Sequence, residues 1–238
     1  MTNLGAAILD PLLARNPAGP RITYYDDATG ERIECSTVTL ANWAAKTANL
    51  LRDEMECHPS SHVAVMLPAH WQTAAVMLGI WWAAAEVVLE PPRPDSVEQV
   101  LCTADRIDEA YLAVGGGSVA VLSLDPFGTP ASNLPVGVID YATAVRVHGD
   151  QITPWRQTEL ALDGRLADDV LAAARASAAT QGLTADDRVL SSAPWDTADD
   201  VIEHLLAPYV AGASLVYVAN ANPYLLDRRR ETEKTTRG

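Results

Sequence analysis

The stretch from Ser61 to Pro92, SSHVAVMLPAHWQTAAVMLGIWWAAAEVVLEPP, limits the possible folds more than any other part of the chain. Val63 to Leu67 is a short Val-rich run. Pro68 ends it, at a place where a first helical turn tolerates proline. His70 to Ala84 is apolar on nearly every side, which marks a helix buried among other elements rather than an amphipathic surface helix. Glu86 to Leu89 is a second short β-branched run, stopped by Pro91, Pro92 and Pro94. Strand, buried helix and strand make one βαβ unit, so the two strands are expected to be parallel and joined by a right-handed crossover. Met66 to Ala85 also has the length of a membrane span. Pro68, His70, Gln72 and Thr73 crowd one end of it and no Lys or Arg cluster flanks it, so a core helix is the better account.

On either side the alternation continues. Leu4 to Leu13 reads as a helix. Ile22 to Tyr25 and Arg32 to Cys35 read as an antiparallel pair around DDATG, which opens with Asp and closes with Gly. Thr39 is a plausible N-cap for a helix from Leu40 to Met55, whose apolar face carries Leu40, Trp43, Ala44, Thr47, Leu50 and Leu51. Asp95 can cap a helix running to about Asp105, and Tyr111 to Val114 then reads as a strand. Gly115-Gly116-Gly117-Ser118 turns the chain into a strand from Val119 to Leu124. Tyr141 to Val147 fits a short helix or a strand. Leu160 to Leu162 is a brief strand, Asp163-Gly164 a turn, and Leu166 to Gln181 a helix with Leu166, Val170, Leu171 and Ala174 inward and Gly182 closing it. Asp187 to Ser191 and Ser214 to Val218 read as strands around a helix from Thr197 to Tyr209.

The expected class is therefore α/β: a mainly parallel sheet flanked by helices, with an N-terminal antiparallel hairpin. Residues 1–222 are expected to form a single domain. Residues 223–238, ending DRRRETEKTTRG, read as a loose polar tail.

Composition narrows the function classes. The 238 residues carry 17 Lys and Arg against 31 Asp and Glu, a formal net charge of −14. Such a surface repels polyphosphate backbones, so nucleic acid is not an expected partner, and neither is a membrane. The cysteines Cys35, Cys57 and Cys102 have no CxxC spacing, and the N-terminus lacks the form of a secretory signal, which together suggest reduced thiols in the cytoplasm.

Several smaller features suggest chemistry, and for each a plainer account is better. Gly115-Gly116-Gly117-Ser118 follows a run read as a strand, but no helix follows whose N-terminus would bind an anion, so it reads as a turn. Asp200 and His204 are spaced like metal ligands on a helix, without an evident third, so a solvated acidic face is preferred. Ser191-Ser192 with His204 lacks a G-x-S-x-G elbow. His58, His62 and His70 are irregularly spaced and read as non-ligands. Arg228 to Arg230 are offset by Asp227, Glu231 and Glu233. Trp71, Trp81 and Trp82 read as core, with Trp71 placed where it could line a pocket.

The order of the pieces resembles the adenylate-forming superfamily of acyl-CoA synthetases, peptide-synthetase adenylation domains and luciferases. The resemblance rests on ITYYD at Ile22 to Asp26, TLANWAAKTANLLRD at Thr39 to Asp53 and VAVMLP at Val63 to Pro68. It continues through AAVMLGIWWAAAEVVLEPP at Ala74 to Pro92, then LTADDRVLSSAPWD at Leu183 to Asp196 and LLAPYVAGASLVYV at Leu205 to Val218. It is closer still to a short actinobacterial family that looks like the front part of such enzymes. The resemblance implies a phosphate loop rich in Ser, Thr and Gly and ending Pro-Lys-Gly between these two groups of matches. Glu159 to Ala176, ELALDGRLADDVLAAARA, stands there instead, with one glycine, Gly164, and no lysine. Asp163, Asp168 and Asp169 would repel a triphosphate. The chain has two lysines, Lys46 and Lys234, and neither falls at that place. Where the family usually has a His or an aromatic after the strand that Val189 to Ser192 resembles, Trp195-Asp196 stands.

The resemblance thus implies the fold and argues against inherited adenylation. The expectation is a pseudoenzyme that acts as a binding module, with a protein partner or a second copy of itself. No catalytic residue, metal or cofactor is expected. Gly164, Arg165, Trp195 and Asp196 are the candidates for whatever remains of a ligand site. The alternative is a fragment of an acyl-CoA ligase that still binds a nucleotide or acyl ligand together with a partner chain.

Overall fold

The computed structural model describes residues 3–89, 94–126, 128–156 and 160–238; Pro91, Pro92 and Glu159, named above, lie outside them. The first elements follow the expectation. Helix α1 (Leu4–Arg15) is capped by Asn3, and strands β1 (Pro20–Asp26) and β2 (Glu31–Ser36) form the antiparallel pair. Helix α2 (Thr37–Asp53) begins earlier than expected. Ser36, in extended backbone, accepts the Thr39 N–H, so Thr39 lies inside the first turn rather than capping it.

Strand β3 (His62–Met66), helix α3 (Trp71–Trp82) and strand β4 (Glu86–Val88) are the βαβ unit, and β3 and β4 are parallel. All twelve residues of α3 are buried, as an all-round apolar helix requires. His70 is its N-cap, and Pro68 falls in the approach to the helix rather than in its first turn. No helix among the described residues is long and apolar enough to cross a membrane.

The next segment departs from expectation. Asp95 has a positive φ of 54° and caps nothing. Gln99–Cys102 is strand β5, buried throughout, and a strand covered on both faces shows no alternation for the eye to catch. A short 3₁₀ turn (Ala104–Arg106) leads into helix α4 (Ile107–Val114), so Tyr111 to Val114 is helical; Ala110, Ala113 and Val114 form its buried face. Strands β6 (Ser118–Val121) and β7 (Ile139–Asp140) follow, and Tyr141–Val147 is helix α5, capped by Asp140.

Strands β8 (Leu160–Leu162) and β9 (Arg165–Leu166) form a second antiparallel pair, not foreseen. Helix α6 (Ala167–Thr180) buries Ala167, Val170, Ala174 and Ala178, while Leu166 precedes it and is exposed. After β10 (Arg188–Ser191), one continuous helical stretch comprises α7 (Ala198–Asp200), a π-helical segment (Val201–Leu206) and α8 (Ala207–Ala211). Strand β11 (Ser214–Ala219) precedes α9 (Pro223–Glu233). The segment read as a loose tail is thus a helix, because Glu233 and Arg229 find partners on the sheet.

The strands form two sheets rather than one. The first has the order β10-β11-β1-β2 and the second β7-β6-β5-β3-β4-β8-β9. Both are parallel apart from the two antiparallel pairs. Helix α3 packs on α1 and α2 and touches β1 of one sheet and β3 and β4 of the other, so the main core forms around it.

Candidate functional site

A cleft of about 930 Å³ opens between the second sheet and the start of α7. One wall comes from residues at the beginnings of strands: His62 opens β3, Glu86 opens β4 and Glu98 precedes β5. The opposite wall comes from the β8–β9 turn, Asp163, Gly164 and Arg165, and from Asp196 to Ala198 at the start of α7. The cleft therefore brings together Gly164, Arg165 and Asp196, three of the four candidates. Trp195 does not line it. That indole is buried against Tyr217, with ring centroids 5.3 Å apart, and Tyr217 stacks in turn on Tyr24.

The turn sets the character of this cleft. Asp163 and Gly164 both take left-handed backbone, at φ 43° and 76°, which is the requirement of the tightest hairpin connection. The Asp163 carboxylate accepts the Leu89 N–H at 2.9 Å, and the Gly164 N–H donates to Oε1 of Glu86. Where the resemblance places a long loop of small residues, the chain thus makes a two-residue turn whose amides are already engaged.

Glu86 forms the floor, with its side chain 4% exposed. His62 stands between two carboxylates. Its Nε2 lies 3.3 Å from Glu86 and its Nδ1 3.4 Å from Glu98, while its backbone N–H donates to Glu98 at 2.7 Å. Asp95, Glu98, Asp163 and Asp196 add negative charge to the walls. Among the described residues Arg165 is the guanidinium of the lining, and it is held by Asp199 at 2.7 Å; that bond and the arginine's charge keep the Asp199 carboxyl below its usual range. Lys46 bonds to the carbonyls of His148 and Arg146, and Lys234 ends α9, so neither lysine lines the cleft.

Sequence reasoning missed His62, Glu86 and Glu98. The available signal was Glu86, a carboxylate opening an otherwise apolar strand, since such a group is rarely buried without a partner. The other candidates take plain structural roles. Asp200 turns back to accept the Thr197 N–H and hydroxyl, a capping box, rather than pairing with His204. Gly117 is needed for close approach, because a Cβ there would meet the Glu98 carbonyl at 2.1 Å. Trp71 is buried against Trp43 and His70. No group of three metal-ligating side chains exists among the described residues.

No protein-family model matches the chain. A relative from Mycobacterium tuberculosis (strain ATCC 25618 / H37Rv), a "TIGR03089 family protein", is 60% identical over 240 residues, covering 99% of this chain and 98% of the relative. The chain belongs to the TIGR03089 family. Solved structures with a similar fold include an acyl-CoA synthetase from Brucella canis, with a TM-score of 0.80 and 17% identity. A benzoate CoA ligase from Burkholderia xenovorans LB400 has a TM-score of 0.76 and 15% identity, and apo MatB from Rhodopseudomonas palustris 0.75 and 18%. At these identities the likeness is one of fold: a mixed α/β architecture matching the front part of acyl-CoA ligases. Nearly all of this TIGR03089 family chain is covered, 98–99%, but it spans only about half of each of these three proteins, 46–49%.

Proposed function

We propose that the protein is a non-catalytic relative of the adenylate-forming enzymes that works by binding, with a ligand or partner that is not a nucleoside triphosphate. The observation that carries this reading is the Asp163-Gly164 turn. It replaces a phosphate loop with a tight hairpin and adds a carboxylate to a cleft already holding those of Glu86, Asp95, Glu98 and Asp196. A triphosphate needs free backbone amides and a cation. Here the Gly164 amide is committed to Glu86 and Arg165 is committed to Asp199. The whole chain's charge of −14 acts in the same direction.

The competing reading is a front half that retains nucleotide or acyl binding and works with a second chain. In its favour is the span of the match, about half of each solved ligase. Calorimetric titration with Mg-ATP and then with a non-hydrolysable acyl-adenylate analogue separates the two. The binding-module reading expects no heat from either. Micromolar binding of either ligand, abolished by Arg165→Ala, would overturn it in favour of the ligase fragment.

A further inference from the structure

Helix α9 and the residues after it lie on the first sheet with little apolar support. Of the apolar and aromatic residues in PYLLDRRRETE, Leu226 packs against the small patch of Tyr25, Val216 and Val218, while Tyr224 is 94% exposed. Among the described residues no other element packs closely along the backbone of α9, so the helix is held at side-chain length.

What holds the helix itself is charge, while residues 236 and 237 add backbone hydrogen bonds to Arg188 and Leu190 of β10. Glu233, the buried residue of the helix, sits in a socket made by Tyr25, Arg32 and Arg188. The Tyr25 hydroxyl and Arg188 Nη2 donate to it, and Arg32 donates through Nε and Nη2 at 3.1 and 3.0 Å. Midway along the helix, the Arg229 guanidinium lies 3.8 Å from the centre of the Tyr25 ring and bonds Asp27 at 2.8 Å. Beyond the helix, Thr236 and Arg237 reach Asp187 at 2.6 and 3.2 Å, and Arg237 pairs in parallel with Val189 on the edge of β10.

The charged groups left behind stay compensated if this segment lifts, and the backbone groups released on β10, the Leu190 N–H and Arg188 carbonyl, lie on a sheet edge that water can reach. Glu34 lies 3.0 Å from Arg32 and 3.6 Å from Arg188, so both guanidiniums keep a carboxylate. Asp27 keeps the Asn222 N–H, at 2.9 Å. Opening therefore avoids stranding a buried charge, the step that usually makes breaking a buried ion pair so unfavourable.

We propose that α9 and residues 234–238 form an electrostatic clasp, a strap seated by Glu233 in the Tyr25–Arg32–Arg188 socket that lifts as a unit while the rest of the protein stays folded. Lifting bares the Tyr25, Val216 and Val218 face of the first sheet together with the edge of β10. Salt distinguishes this from ordinary packing. Screening shortens the reach of exposed charge from about 14 Å at about 0.05 M salt to about 3 Å at about 1 M, and it acts here through the half-exposed Arg32 and Arg237, whereas apolar burial is not weakened that way.

Amide hydrogen exchange on the full chain tests the clasp, with peptides from 223–238 compared against peptides from α3 and β1. High salt, or Glu233→Gln at low salt, is expected to speed exchange in 223–238 by about tenfold while α3 and β1 stay protected, as for a local opening. Leu226→Ala is expected to have the smaller effect. Unchanged exchange in both salt and Glu233→Gln, a larger effect from Leu226→Ala, or equal loss of protection in α3 and β1 would each overturn the proposal.

Discussion

His70 caps α3 by accepting the Gln72 N–H at 3.1 Å on Nδ1, and its ring is 2% exposed beneath Tyr24. Burial pushes the imidazole down to about 3, against a smaller upward pull from Asp26. Its unfolded value is near 6.5, so between those two values the unfolded chain holds a proton that the folded chain does not. Stability therefore falls on acidification from about pH 6.5 toward 3, by at most about 1.4 kcal/mol per pH unit from this group. Glu31, 3.9 Å away and raised by burial, acts in the opposite sense. The readout is thus a difference between chains. His70→Asn keeps a capping side chain and removes the titration, so its urea-unfolding free energy should fall less steeply with acid than that of the parent. Parallel slopes would mean that His70 is already charged in the folded state. The three thiols permit a simpler test. Burial raises Cys35, Cys57 and Cys102 to about 12, so a thiol reagent should label none of them in the native protein and all after unfolding.

At the scale of elements, the α2–α3 contact is the most exacting. A Cβ added at Gly79 would come within 2.7 Å of the Ala44 carbonyl and 2.8 Å of Thr47 Cβ. Gly79→Ala should cost about 1–3 kcal/mol by overpacking, even though alanine is the better helix former. Ser36→Ala, which removes the α2 cap, should cost about 1 kcal/mol. Urea midpoints of the two variants order the effects, and a stabilised Gly79→Ala would show that the helices can separate. These elements were legible because each carries a local signal: a run of apolar residues for α3, turn chemistry for the hairpin, an apolar stripe for α2, whose cap nevertheless falls on Ser36 rather than Thr39. The segment from Asp95 to Val114 carries conflicting ones. Gln99–Cys102 is too short to show a period, and the acidic residues of α4 obscure a buried face of only Ala110, Ala113 and Val114.

For the whole molecule, local signals end where long-range pairing begins. The N-terminal hairpin could be read, but nothing near Ile22 announces that its parallel partner is Leu215, or that β1 and β3 belong to different sheets. The cleft follows the same rule. Asp163 to Arg165 stood out because they stand where the resemblance implies a phosphate loop, whereas His62, Glu86 and Glu98 meet only through the register of β3, β4 and β5. Two sheets need not unfold together, since chains longer than about 150 residues often populate intermediates. The position of α3 argues that these do. Its buried face toward β1 and its face toward β3 and β4 belong to one twelve-residue helix, so neither sheet can keep its core once the helix leaves. Far-ultraviolet dichroism reports the secondary structure of both halves, and with Trp43, Trp155 and Trp195 replaced by Phe the remaining indoles, Trp71, Trp81 and Trp82, report α3 itself. The two signals are expected to trace one coincident urea transition, with Leu78→Ala shifting both by the same amount. A fluorescence change that precedes the dichroism change would mean that the sheets stand as separate units and that residues 1–222 are not one domain.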